Sequence, residues 1–111
     1  MASVMDAPQS DARGPVFYEF EAEVWMYEGE SSWHFLTLPR DVGDGLKTLR
    51  GPARNFGSMR VSASIGDTVW KTSLFPDRRL GTFLLPVKAD VRRRQGLVVG
   101  DTVRATIEVL I

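Results

Sequence analysis

Leu85-Pro86-Val87-Lys88-Ala89-Asp90-Val91-Arg92-Arg93-Arg94-Gln95-Gly96-Leu97-Val98-Val99-Gly100-Asp101-Thr102-Val103-Arg104 changes its local pattern four times. Leu85 to Val87 ends an apolar strand. Lys88 to Gln95 reads as a short basic helix, and Gly96 stands where a left-handed helix stop is expected. Gly100-Asp101 is a tight turn. From Thr102 to Ile111 the chain alternates, with Val103, Ala105, Ile107 and Val109 on one face and Arg104, Thr106 and Glu108 on the other. A period of two is the mark of a half-buried strand. A helix set between two strands therefore carries Lys88, Arg92, Arg93 and Arg94 on one small unit.

The same period recurs towards the N-terminus. Phe17 to Tyr27 places Tyr18, Phe20, Ala22, Val24 and Met26 on one face and Glu19, Glu21 and Glu23 on the other. Tyr27 to Ser32 is a hairpin-like connection. Trp33 to Leu38 forms a second strand, ended by Pro39, which has no N–H for a ladder. Arg40 to Leu49 is expected to form a short helix capped at or beside Asp41; Gly43 and Gly45 weaken it by about 1 kcal/mol each. Gly51 to Gly57 is a glycine- and proline-containing loop. Ser58 to Ile65 alternates again, Gly66-Asp67 suits a type II′ hairpin turn, and Thr68 to Phe75 returns. Pro76 to Arg79 is expected to turn, and Leu80 to Val87 is apolar enough to be buried on both faces. Six strands at this spacing, with one or two short helices, argue for a mainly β fold, a small closed or half-closed barrel that hides its sheet edges.

Composition sets the outer bounds. The 111 residues are 43% hydrophobic and 25% charged, as in an ordinary globular chain. They suit one domain over residues 15–111, preceded by a loose polar tail over residues 1–14. There is no cysteine, which removes disulfides, thiolate metal sites and cysteine nucleophiles. No apolar run is long enough to span a bilayer and no signal-peptide pattern opens the chain, so a cytoplasmic protein without membrane contact is expected. Net charge is zero but unevenly spread: residues 1–49 hold nine acids against three bases, and residues 50–111 eleven bases against five acids. The expectation is that the two halves pair with each other on folding, with charge steering of a partner as the competing reading.

In order and spacing these segments resemble a bacterial and archaeal group of small domains, domain-of-unknown-function family 1905. The residues that carry the likeness are Phe20-Glu21-Ala22-Glu23-Val24, Trp33-His34-Phe35-Leu36-Thr37-Leu38-Pro39 with Asp41-Val42, and Val61-Ser62-Ala63-Ser64-Ile65-Gly66 with Thr72-Ser73-Leu74-Phe75-Pro76. Leu85-Pro86-Val87-Lys88, Val91-Arg92 and Gly96-Leu97-Val98-Val99-Gly100-Asp101-Thr102-Val103 complete it. The resemblance implies a double-split β-barrel, a fold class shared with AbrB-like looping-hinge DNA-binding domains. It supplies no catalytic residue and no cofactor. Gly43 and Gly45 depart from it, standing where stronger helix formers are expected.

Several side chains are candidates for function. Lys88, Arg92, Arg93 and Arg94 are suited to gripping phosphate, against the alternative that they complement the helix dipole or pair with acids of the first half. Arg78 and Arg79, on a neighbouring turn, extend this basic set. His34 is the lone histidine; it alternates with Trp33 and Phe35, and an acid/base or ligand-contacting role competes with a surface one. Glu19, Glu21 and Glu23 line one strand face, where a solvated surface outweighs a Ca²⁺ or hydrolase site. Trp25, Trp33 and Trp70 are pocket candidates among an aromatic-rich set, with core packing the competing reading. No phosphate loop, dinucleotide motif or serine elbow occurs, and neither cofactor nor metal is expected.

The resulting expectation is a non-enzymatic binding or interaction module, taking a small ligand, a phosphate-bearing partner or a protein. The alternatives are a nucleic-acid-binding regulatory domain and, third, a small enzyme using His34. A monomer and a homodimer both remain open.

Overall fold

Period-two alternation builds the architecture of the computed structural model, which describes residues 16–29, 32–50 and 58–110. The expected tail over residues 1–14 and loop over 51–57 lie outside these. The elements run β1 (Val16–Glu23), β2 (Trp25–Met26), β3 (His34–Thr37), α1 (Arg40–Arg50), β4 (Met59–Ile65), β5 (Thr68–Asp77), β6 (Thr82–Pro86), α2 (Ala89–Gln95) and β7 (Thr102–Val109). The strands form one antiparallel sheet in the order β1-β7-β4-β5-β6-β3-β2. Its outermost strands, β1 and β2, are consecutive in the chain and joined only by Val24. The sheet therefore curls into a half-barrel whose two ends meet at one residue.

That junction corrects the sequence expectation of six strands. The run Phe17–Tyr27 is interrupted at Val24, whose N–H donates to the Asp101 carbonyl at 2.9 Å and whose carbonyl accepts the Gly100 N–H at 2.9 Å. Before it the chain pairs with β7; after it, with β3. The alternation holds as far as the break, because Val24 stays buried. Met26 does not follow the apolar face inward; it is 40% exposed at the open end of β2.

The core closes as the inward rows meet. Phe20, Val61, Ala63, Trp70, Leu74, Ala105 and Ile107 from one part of the sheet meet Leu36, Phe83 and Leu85 from the other. Fully burying one such side chain contributes about 1.5–3 kcal/mol. Ion pairs such as Arg104–Glu21, Arg93–Asp90 and Lys47–Asp44 are exposed and contribute about 0–1 kcal/mol each. Burial, not charge, holds the barrel.

Turn chemistry fixes the registers. Gly66 has φ +59° and Asp67 is not left-handed, the pattern of the type II′ turn between β4 and β5. The turn expected at Pro76–Arg79 lies two residues later, at Arg78–Gly81. Pro76 is instead inside β5, opposite Phe83. It is tolerated because the β4 ladder has already ended at Met59–Leu74, so that side of Pro76 needs no donor.

Both helices form. In α1, Asp41 lies in the first turn, and its carboxylate accepts the Val42 N–H at 3.0 Å. The two glycines are there for close approach. A Cβ on Gly43 would stand 2.9 Å from Thr82 Cβ, and one on Gly45 2.8 Å from the Tyr18 hydroxyl. In α2, Gly96 adopts φ +66°, and its N–H and that of Leu97 close the last carbonyls. Gln95 ties the helix to the β4–β5 hairpin, donating to Asp67 Oδ1 at 3.0 Å and Thr68 Oγ1 at 2.9 Å. No described helix is long and apolar enough to cross a membrane.

The two oppositely charged halves meet at Arg104. From β7 it reaches Glu21 at 3.0 Å and Glu19 at 3.6 Å on β1. The α2 arginines behave differently: Arg93 and Arg94 both hold Asp90 of their own helix, at 3.1 and 3.2 Å.

Candidate ligand-binding site

Residues opposite one another in an antiparallel ladder share a face. Trp25, Phe35 and Pro86 form one such row across β2, β3 and β6, and Thr37 and Leu84 lie two residues further along. Leu36 and Leu85, between them, point to the core. The row is therefore on the outside of the half-barrel. An outer face is usually polar, but this one is aromatic. Phe35 is buried without belonging to the core cluster. Its cover comes from Trp25 and Trp33, whose ring centroids lie 5.2 and 5.9 Å from its own. The Trp25 indole N–H donates to Thr37 Oγ1 at 2.8 Å, which fixes that ring on the sheet.

Above this floor is an open cleft of about 490 Å³, lined by Trp25, Tyr27, Trp33, Phe35 and Leu84, with Asp77 and Arg79 supplying its charge. Tyr27 and Trp33 are 58% and 48% exposed, so two ring faces are open to a ligand. One Asp77 oxygen accepts the Leu80 N–H at 3.2 Å, which fixes the carboxylate at the cleft's edge.

A second cleft, of about 320 Å³, adjoins the first along Trp33, which lines both. Its other walls are Ser32, His34, Pro86, Val87, Lys88, Ala89 and Arg92. Two cations and an imidazole converge there, and no carboxylate lines it among the described residues. Arg92 is held in place: its Nε donates to the Val87 carbonyl at 3.3 Å, and one terminal nitrogen approaches His34 Nε2 at 3.4 Å. His34 Nδ1 lies 2.8 Å from the Ser32 carbonyl. A carbonyl only accepts and a guanidinium only donates. The Ser32 carbonyl therefore suits a hydrogen on Nδ1 and the Arg92 guanidinium a lone pair on Nε2. Neither Lys88 nor Arg92 has an acidic partner among the described residues.

The fold thus joins two sets of residues that the sequence keeps apart. His34 and Arg92, 58 positions distant, meet because Val87 donates its N–H to the His34 carbonyl at 2.9 Å, delivering α2 to the end of β3. Arg93 and Arg94 do not enter this cleft. Arg78 lines a separate cleft with Lys47, Asp77 and Phe83, and Arg79 belongs to the aromatic one, so the turn arginines do not extend the α2 set. Trp70 is corrected from pocket candidate to core residue, 7% exposed, with its indole N–H on the Pro86 carbonyl at 3.3 Å. The inward alternation Thr68-Trp70-Thr72-Leu74 is the signal that assigns it there. Glu19 and Glu21 face Arg104, and among the described residues no acids and histidines cluster as metal ligands. Tyr27, Asp77 and Leu84 carry no local signal of a site, since only the sheet register brings them beside Trp33.

Fold and clefts together define a half-barrel domain with a two-part groove on its outer face. The chain belongs to the family described as a domain of unknown function (DUF1905), whose family model matches residues 20–107. A comparison with curated proteins gives no match.

Proposed function

We propose that this domain is a non-enzymatic binding module for a small anionic ligand, seated between β3 and the start of α2. The observation that carries this reading is the convergence of Lys88, Arg92 and His34 on one cleft with no carboxylate among its described walls. A guanidinium held by Val87 and His34 is pre-organised for an anion, and hydrogen bonds to charged groups contribute about 1.5–3 kcal/mol. Binding is favoured over catalysis because no carboxylate among the described residues lines the cleft to work with His34 as an acid–base pair. A nucleic-acid surface is disfavoured because Arg93 and Arg94 share Asp90, which offsets one of their two charges. Lys88 and Arg92 face a cleft instead of continuing an outward basic stripe.

Titration with inorganic phosphate, followed by amide and indole NMR shifts, tests this directly. Shifts are expected at Trp33, His34 and residues 87–92, weakening with added salt. Arg92→Ala should reduce affinity at least about tenfold, corresponding to about 1.4 kcal/mol. The reading fails if phosphate at tens of millimolar moves none of these signals, or if Arg92→Ala binds as the parent does.

A further inference from the structure

The aromatic cleft is not needed to hold an anion, and it adjoins the basic one. Trp33 lines both, and the Phe35–Pro86 pairing makes the floor of one continue into the floor of the other. Charge is distributed by position along β6. Asp77 lies opposite Thr82 at one end, while Pro86, at the other end, lines the cleft of Lys88 and Arg92. Thr82 and Pro86 stand four residue steps apart, roughly 13 Å. An anion at the Pro86 end is therefore well removed from the Asp77 carboxylate, with aromatic floor between. The volumes, about 490 and 320 Å³, suit a small organic molecule. Exposed Trp33 and Tyr27 offer ring faces of the kind on which flat rings stack.

We infer that the two clefts are halves of one site, for a small molecule in which a planar ring is joined to a phosphate group, the class to which mononucleotides belong. The phosphate sits among Lys88, Arg92 and His34. The ring lies against Trp33 and over the Phe35 floor. Asp77 and Arg79 remain for the ring's polar edge. This assignment rests on the anion-binding reading above and adds the second half of the ligand to it.

The test compares inorganic phosphate, phenyl phosphate and AMP by NMR titration of the full chain, with oligomeric state followed by sedimentation velocity. At least one of the two ring-bearing probes should bind tenfold or more tighter than inorganic phosphate and shift the Trp33 indole signal. Trp33→Ala should remove that advantage, and Tyr27→Ala, at a residue that lines only the aromatic cleft, should reduce it while leaving inorganic phosphate affinity within about twofold. Arg92→Ala should weaken all three. If phosphate binds but neither ring-bearing probe binds more tightly, the two-part site is overturned and the anion site stands. If none of the three binds, both fall. If the aromatic face instead joins two copies of the chain, so that a dimer dissociates in Trp33→Ala, the ring subsite is likewise overturned.

Discussion

Gly43 and Gly96 show that one residue type is placed here for two unrelated reasons. Gly43 has an ordinary helical backbone and lacks only room, because Thr82 stands against it. A Cβ on Gly96 would meet nothing within 4 Å, but the φ there is +66°. Gly43→Ala would gain about 1 kcal/mol of helix propensity. It would also drive α1 from β6 at a cost of about 1–3 kcal/mol, so the net change is a loss. Gly96→Ala loses about 1–2 kcal/mol through backbone strain alone. Chemical denaturation separates the two. Thr82→Ala, which removes the hydroxyl oxygen standing nearest a Cβ on Gly43, should partly restore Gly43→Ala and leave Gly96→Ala unchanged. From sequence both positions were visible as glycine, but only Gly96 had a local reason that could be read. The reason for Gly43 lies 39 residues further along the chain, in Thr82.

At the scale of elements, α2 divides its cations by helical position. Val91 faces the core, Arg92 turns towards His34, and Arg93 and Arg94 reach back to Asp90. Exposed pairs of this spacing contribute about 0.3–0.5 kcal/mol. Asp90→Asn should therefore lower stability by less than about 1 kcal/mol, with the difference shrinking at high salt. It should leave phosphate affinity at the His34 cleft unchanged, because Asp90 does not line it. A large gain in affinity on removing Asp90 would show that Arg93 or Arg94 reaches the anion. Period, glycine stop and charge made the helix and its boundaries legible to within a residue. Which arginine faces the site depends on where Val87 docks against β3, a long-range pairing that no local pattern encodes. Trp70 illustrates the same limit from the other side: its place in the aromatic set made it a pocket candidate, while the inward row of β5 puts it in the core.

For the whole molecule, the curled sheet predicts a gradient of opening. β4 and β7 are flanked by partners on both sides over about half their length, β5 pairs first with β4 and then with β6, and all three carry the inward core rows. β2 contributes two residues and pairs only with β3. In hydrogen exchange, amides of Ala63 and Ile107 should be the slowest, opening only with global unfolding. Those of Trp25 to Tyr27 should exchange through cheaper local opening. Ligand in the groove should slow the second group selectively, since Trp25, Tyr27 and Trp33 line it; uniform protection of all amides would place binding elsewhere. The barrel was legible because alternation runs unbroken along β1, β4 and β7. The break itself was not, since Val24 keeps its inward parity while changing partners.

The pairing of β1 with β7 has a mechanical consequence. The ladder is antiparallel and sets Val16 opposite Val109, roughly 5 Å away. A load applied through these two residues pulls across the ladder and not along it. The hydrogen bonds then carry the force one after another, as in a zipper, in place of sharing it. The half-barrel should yield at low force from this corner, with β1 peeling off towards Val24, while a pull through the β4–β5 hairpin and α1 would meet far more resistance.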